Sequence, residues 1–338
     1  MFEKNDRILD EASGNNQFRL HLGFHYPRHA GTRIQSRDGF SRFLERYSDL
    51  SRKISENIYA VPKYTSLIDF ETYKLIMTAT GIPYHTVDRC PLDLQEIEGL
   101  IRVDERILMI EKARNYFSHH LGPSLSLSDP VTTLIDRETH IEVNGEKFDY
   151  VVDATWGHLL RADFDVFYEP TVLLYFEASP NLPAITFVDG PLYSIYPTEE
   201  PKIYTLSSVP HTPLGRYYSA EEARTARDRV DTATIRAKLK VMTEQAQENV
   251  RNFPDLYKFI GPQISIKTKL SGSSDDRSCY VGRRGRLFTV LSGKIDTIFH
   301  ATERILSDIE ADSDTKPIDV PSSLLSRIQR KSIAIGLE

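Results

Sequence analysis

The sequence predicts an α/β fold in which a sheet-rich segment interrupts a framework of helices and short strands. Three features carry this expectation. Apolar residues recur at three- and four-residue steps in the N-terminal quarter, strand-like runs crowd the region from Thr171 to Val209, and a strand, a turn and a helix close the ordered text near Ile309. The 338 residues, 40% hydrophobic and 27% charged, suit one large domain or two interleaved ones and exclude a disordered or fibrous chain.

Phe40, Phe43, Leu44, Tyr47, Leu50 and Ile54 have helical spacing and predict a helix from Gly39 to Ser55. A second helix is expected after the cap Asp69, carrying Phe70, Tyr73, Leu75, Ile76 and Met77 and stopped by Gly81 and Pro83. His119 and His120, ahead of Gly122-Pro123, read as cations at a helix C-terminus. Val131–Ile135, His140–Val143 and Tyr150–Val152, separated by Asp136-Arg137-Glu138 and Asn144-Gly145-Glu146, predict a small meander. Between Thr171 and Val209, prolines punctuate strands rich in tyrosine and phenylalanine, whose rings belong to a sheet core or to a ligand pocket.

Ser219 followed by Glu222 is a capping box, so Ala220–Asn252 reads as one or two long exposed helices. Strand-like Ile264–Leu270 leads through a polar loop from Ser271 to Arg277 into a second strand, Leu287–Leu291. The helix after Ser292-Gly293-Lys294 would bury Ile295, Ile298, Phe299, Ile305, Leu306 and Ile309, and would place Asp296 at the positive end of its dipole. After Ala311 the Asp/Ser/Pro-rich text predicts a loosely held tail.

A formal net charge of -6 supplies no field for nucleic acid or anionic lipid. Two cysteines, Cys90 and Cys279, make neither a disulfide framework nor a zinc site and suit a reducing, cytoplasmic setting. Apolar runs such as Val172–Phe176 reach about five residues, against about 20 for a spanning helix. The N-terminus carries no signal-peptide pattern. GxSxG, HExxH, P-loop and GxGxxG motifs are absent. His21 and His25 are four apart, but Gly23 and Pro27 argue against the helix that would make them a metal pair, so no metal site is expected.

Three segments stand out for small residues that bring backbone close to something: Ser13-Gly14-Asn15-Asn16-Gln17, Asp153-Ala154-Thr155-Trp156-Gly157, and the turn Ser292-Gly293-Lys294, where free N–H groups at a helix start receive partial negative charge. After the first of them, Arg19, His21, His25, Tyr26 and Arg28 alternate with Leu20, Leu22 and Phe24, the pattern of a half-buried polar lining.

Together these segments resemble the FAD-dependent oxidoreductases of the D-amino-acid oxidase and glycine oxidase type. Phe2-Glu3-Lys4 is similar to the acidic end of that family's second strand, Ala12–Gln17 to its small-residue segment, Tyr150–Thr155 with Trp156 and Gly157 to its later strand end, and Leu287–Thr297 to its closing turn and helix. The resemblance implies an incomplete Rossmann-like FAD-binding domain (1–69, 111–157 and 264–309) with an inserted sheet-rich substrate domain (70–110 and 158–263) and a tail (310–338). It implies that Glu3 meets the adenosine ribose, and that Ser13, Gly14, Asn16 and Gln17 follow the pyrophosphate and flavin. Ala154 and Thr155 would pass the adenine-to-ribitol half. Gly293, Lys294 and Ile295 would offer N–H groups to the flavin N1/C2 carbonyl side. His25, Tyr26 and Arg28 become candidates for the substrate side.

The implied activity is oxidation of a C–N or C–H bond of a small polar substrate by hydride transfer to flavin N5. A cofactor-free protein of the same fold and a flavin-dependent isomerase of a nucleotide-linked sugar are the alternatives. The strand, GxGxxG turn and helix that precede the acidic strand in that family are not among these residues, so the chain by itself is expected to hold FAD poorly and to expose a strand edge.

Overall fold

The computed structural model describes residues 1–161, 164–272 and 276–312. The chain divides into two compact units, Met1–Ala301 and Thr302–Glu338.

In the N-terminal third, strand β1 (Arg19–Leu20) precedes helix α1 (Ala30–Tyr47), and a 3-10 turn leads into β2 (Ser51–Lys53) and β3 (Asn57–Pro62). Helix α1 starts nine residues before the expected Gly39 because His29 caps it, its ring accepting the Thr32 N–H. It ends before Ser55, where the chain turns into strand β2. Helix α2 (Phe70–Ala79) begins at Asp69, whose carboxylate accepts Thr72 N–H at 2.8 Å, as the sequence indicated. Strands β4 (His85–Val87), β5 (Ile97–Arg102) and β6 (Arg106–Leu108) follow, then helix α3 (Ile110–Leu121), with His119 and His120 in its last turn.

The meander is β7 (Leu134–Asp136), β8 (Ile141–Val143) and β9 (Glu146–Phe148). Its second turn is tighter than expected: Asn144 (φ 50) and Gly145 (φ 87) are both left-handed, the two-residue hairpin geometry, so Glu146 already belongs to the third strand. The next strand, β10 (Val151–Asp153), leaves the meander to pair in parallel elsewhere. Four strands then run in sequence: β11 (Val166–Glu177), β12 (Ala184–Phe187), β13 (Tyr193–Pro197) and β14 (Ile203–Ser208). Helix α4 (Ala220–Asp228) is capped by Ser219, whose hydroxyl accepts the Glu221 and Glu222 N–H groups, and α5 (Thr232–Asn249) and α6 (Phe253–Leu256) continue. Strand β15 (Lys258–Leu270) starts six residues before Ile264, and β16 (Tyr280–Arg284) was not expected: its glycine and arginines lack strand periodicity. Strand β17 (Leu287–Leu291), a 3-10 turn (Ile295–Thr297) and helix α7 (Ile298–Asp312) complete the described chain, and the tail expected after Ala311 lies outside the described residues from 313 on.

The large sheet has the order β15-β11-β14-β13-β12-β3-β5-β4 and is antiparallel except where β12 meets β3. Strand β3, inside the stretch 1–69 expected to hold the cofactor, is thus an inner strand of this sheet. The two faces differ in chemistry. Ile58, Ile185, Ile195, Leu206 and Leu174 follow one another across the register on one face, and Met242, Ala246, Val250, Phe253 and Tyr257 from the α5–α6 region pack against them. The opposite face carries Thr186, Ser194, Thr205, Thr171, Gln263 and Ser265, all buried. Burying hydroxyl and amide groups without partners costs about 1–3 kcal/mol each, so something must satisfy this face.

A small second sheet, β10-β17-β16, sets β10 and β17 side by side in parallel, so Asp153 and Leu291 end at the same edge. Among the described residues β10 pairs only with β17, and Val152 is exposed. Helix α1 lies against the turn that follows β17. A Cβ at Gly39 would sit 1.6 Å from the Asp296 carbonyl oxygen, so only glycine permits this approach. Gly39→Ala is therefore expected to force helix and turn apart, lowering unfolding free energy by about 1–3 kcal/mol in urea titration, whereas Gly145→Ala, with open space around it, has only its backbone strain to bear. Equal stability of Gly39→Ala and the parent would contradict this contact.

Candidate active site

The ends of β10 and β17 carry short residues for a local reason. The Asp153 carboxylate accepts the Thr155 N–H at 2.8 Å, the Thr155 hydroxyl at 2.6 Å and, through its other oxygen, the Leu160 N–H at 3.2 Å. This knot leaves Ala154 and Thr155 exposed and carries Trp156 (φ 55) and Gly157 (φ 77) through left-handed geometry. Beside it Gly293 is exposed, and a Cβ there would meet only Arg277, at 3.5 Å. Among the described residues no close contact requires glycine at 293, which leaves the turn open to a ligand's approach. Lys294 is buried, and Ile295 packs against the N-terminal core.

The Ser13–Gln17 loop is built by its own amides. Asn15 and Asn16 donate to the carbonyls of Asp10, Glu11, Ala12 and Ser13. Gly14 is forced, because a Cβ would fall 1.9 Å from the Leu9 carbonyl oxygen. Gln17 reaches the polar face of the large sheet, where its Oε1 accepts the Ser194 hydroxyl at 2.8 Å and its Nε2 donates to Thr205 Oγ1 at 3.1 Å. The Asn16 and Gln17 amides are therefore occupied by protein, and what these residues offer a ligand is backbone. The half-buried Glu3 accepts Asn5 N–H at 2.9 Å, and its own N–H donates to Ser126.

After β1 comes a buried polar cluster. Glu105 is 1% exposed; Oε1 accepts the Leu22 N–H at 2.9 Å and Oε2 the Tyr59 hydroxyl at 2.8 Å. Arg19 donates to the same hydroxyl at 3.1 Å and lies 3.9 Å from the Tyr196 ring centroid. His21 Nδ1 stands 3.6 Å from Glu105 Oε1, too far to bond. Burial, then the fields of Lys294 and Arg19, hold His21 well below the ordinary imidazole range, and burial, then Arg19, His21 and Lys294, do the same to His25. Both rings are neutral at pH 7.

Lys294 Nζ lies 4.0 Å from the Tyr26 ring centroid, and it, His21 Nδ1 and His25 Nδ1 are buried without hydrogen-bond partners. Asp296 lies in the first turn as expected, but it is fully buried with neither oxygen in a well-formed hydrogen bond, and burial pushes its carboxyl up against the opposing field of Lys294. Arg28 pairs through Nε with Asp189, whose N–H donates to Ser66 and whose carbonyl accepts Leu67 N–H, so it fastens two loops together.

The chain is 53% identical over 313 residues to the FAD-dependent monooxygenase FPY4 of Fusarium mangiferae, covering 93% of this chain and 85% of that protein. It belongs to this FAD-dependent monooxygenase family. The FAD-dependent monooxygenase kojA of Aspergillus flavus is 26% identical over 345 residues, 90% of this chain and 78% of that protein. No protein-family model matches. Among solved structures, glycine oxidase from Geobacillus kaustophilus superposes with a TM-score of 0.66 at 15% identity, covering 94% of this chain and 89% of that one. L-alpha-glycerophosphate oxidase from Mycoplasma pneumoniae gives 0.67 at 14%, covering 91% and 86%. The fold is that of the D-amino-acid oxidase type, and this family member is an enzyme that uses FAD. Among the described residues no helix is long and apolar enough to cross a membrane.

The residues fit that cofactor: an open glycine turn beside a parallel strand end, a buried ammonium of Lys294 without a hydrogen-bond partner, and two unpartnered imidazole nitrogens are groups that a flavin's carbonyls, ring nitrogens and N–H would satisfy. Sequence reasoning missed Glu105, which lies in the plain text Asp104-Glu105-Arg106, and Tyr59, one tyrosine of 17.

Two outcomes follow from the cluster. Glu105→Ala leaves Arg19 without its buried counter-charge and is expected to cost about 3–5 kcal/mol in chemical unfolding, with Glu105→Gln milder because it still accepts a hydrogen bond. His158 is also held down, to about 4, by burial and Arg224. Below about pH 6.5 the unfolded chain binds protons that folded His21, His25 and His158 refuse, so stability is full above that pH and falls as pH drops, by up to about 1.4 kcal/mol per pH unit per histidine. The slope of unfolding free energy between pH 7 and 5 should become shallower by one proton in His25→Phe; an unchanged slope would show that the ring protonates freely in the fold.

Proposed function

We propose that this enzyme oxidises a C–N or C–H bond of a small polar substrate held beside His25 and Tyr26, with FAD along the ends of β10 and β17. When bound, FAD supplies the two-electron acceptor at N5. The observation that carries the reading is a pair of neutral, unpartnered imidazoles beside the buried ammonium of Lys294. A neutral imidazole can take a proton from a substrate N–H or O–H, and a desolvated cation holds nearby negative charge strongly.

Glu3 would hold the ribose, backbone at Ser13, Gly14, Asn16, Gln17, Ala154 and Thr155 would follow the length of the cofactor, and Gly293, Lys294 and Ile295 would face the flavin. The stretches 1–69, 111–157 and 264–309, apart from β3, would form the cofactor-binding part, and 70–110 with 158–263 the substrate part. Arg28 would shape the entrance by fixing Asp189 and would not itself hold substrate.

Under anaerobic conditions candidate amines and alcohols should bleach the FAD-loaded protein without added reductant, and His25→Phe should slow bleaching at least 100-fold while flavin content is kept. Oxidation by hydride loss alone leaves no label in the product under 18O-dioxygen. Label in the product, with no anaerobic bleaching, would replace this reading by oxygen insertion, the activity in the relatives' names. Gly293→Val should lower flavin content by closing the approach; undiminished content would remove the turn from the site.

A further inference from the structure

At its β11–β15 edge the polar face of the large sheet ends in charge. The register sets Glu169 opposite Lys267 and Phe167 opposite Lys269. Glu169, 7% exposed, does not pair with the lysine facing it; its carboxylate is held by Lys269. Lys267 is left on the same face, half-buried, with no hydrogen bond or ion pair among the described residues. Arg277, whose side chain runs past Gly293, adds its field to both lysines, and Arg216, 4.1 Å from the Phe167 ring centroid, adds to that on Lys269. Two lysines therefore compete for one carboxylate in the field of two arginines, and the one left without an ion pair is Lys267.

We propose that Lys267 is a reactive amine that condenses reversibly with carbonyl compounds, those bearing a carboxylate best. The nitrogen lone pair attacks the carbonyl carbon, a C–N bond forms, the carbonyl oxygen leaves as water with two protons, and an imine results without any change of oxidation state. A free lone pair at neutral pH is the requirement. Burial first, then Lys269, lower the Lys267 ammonium to about 8, with Glu169 opposing and Arg277 assisting. Roughly a tenth of the amine is then unprotonated at pH 7, against less than about a thousandth for an ordinary lysine. The surrounding cations would also attract an anionic carbonyl compound. Oxidation of a C–N or C–H bond yields imines or carbonyls, so the proposed reaction would make ligands of this class, but adduct formation is read directly and does not depend on turnover.

The test is to incubate the FAD-loaded protein with glyoxylate and cyanoborohydride at pH 7 and map adducts by peptide mass. Lys240, with 75% of its side chain exposed, is the internal comparator. Lys267 is expected to gain a carboxymethyl group at least tenfold faster than Lys240, with a half-maximal rate near pH 8 and a slower rate with neutral glyceraldehyde. Lys269→Met frees Glu169 for Lys267 and should slow labelling, while Glu169→Gln should speed it. Labelling of Lys267 no faster than of Lys240, or rates that neither substitution moves, would overturn the proposal.

Discussion

A carboxylate taken out of water, Glu105, is the constraint from which the inner wall of the site is built. Its two oxygens join the segment after β1, through Leu22 N–H, to the middle of the large sheet, through the Tyr59 hydroxyl. A buried charge of this kind is tolerated only with its partners in place, so Arg19, stacked on Tyr196, and the path of the chain through His21 to Tyr26 are fixed together. The neutrality of the two imidazoles follows: burial and the neighbouring cations outweigh the one acid in reach.

The large sheet divides labour between its faces. The apolar face needs no specificity beyond volume, and α5 and α6 cover it. The polar face must find partners for each hydroxyl and amide. Gln17 meets Ser194 and Thr205, and Thr171 meets Ser265 at 3.0 Å, yet Thr186 Oγ1 and Gln263 Oε1 remain unpaired. A ligand lying on this face would have to bond to such groups or leave them unpaired, which under the proposed placement of the substrate would favour a polar one. Towards β15 the same face grades from neutral to charged, so one wall presents different chemistry at its two ends.

Much of the framework was legible because its signals are local. Asp69 and Ser219 cap helices through their own side chains, and a polar residue before an apolar period is readable in one dimension. The start of α1 was not, since a histidine cap lacks the usual composition. Strand β16 escaped because Tyr280–Arg284 draws its place from pairing with β17, and so did the departure of β10 from the meander. In the site, the glycine turns and the alternation after Arg19 could be seen. The role of Gly39 in packing, the loss of the Gln17 amide to Ser194 and Thr205, and the burial of Asp296 depend on residues far away in the chain, while the closing of the Asn16 amide onto Ala12 and Ser13 is local but has no composition signal.

The knot that Asp153 ties at the end of β10 fixes the direction of Trp156, the one tryptophan of the chain, half-buried beside Ala154 and Thr155. Seventeen tyrosines would crowd any ultraviolet signal, but excitation at the red edge selects the indole alone. The emission of that indole overlaps flavin absorption, and its position is held by a carboxylate with three hydrogen bonds. With FAD placed as proposed along the neighbouring strand ends, the fold would carry its own optical reporter, one whose brightness tracks occupancy without any label being attached.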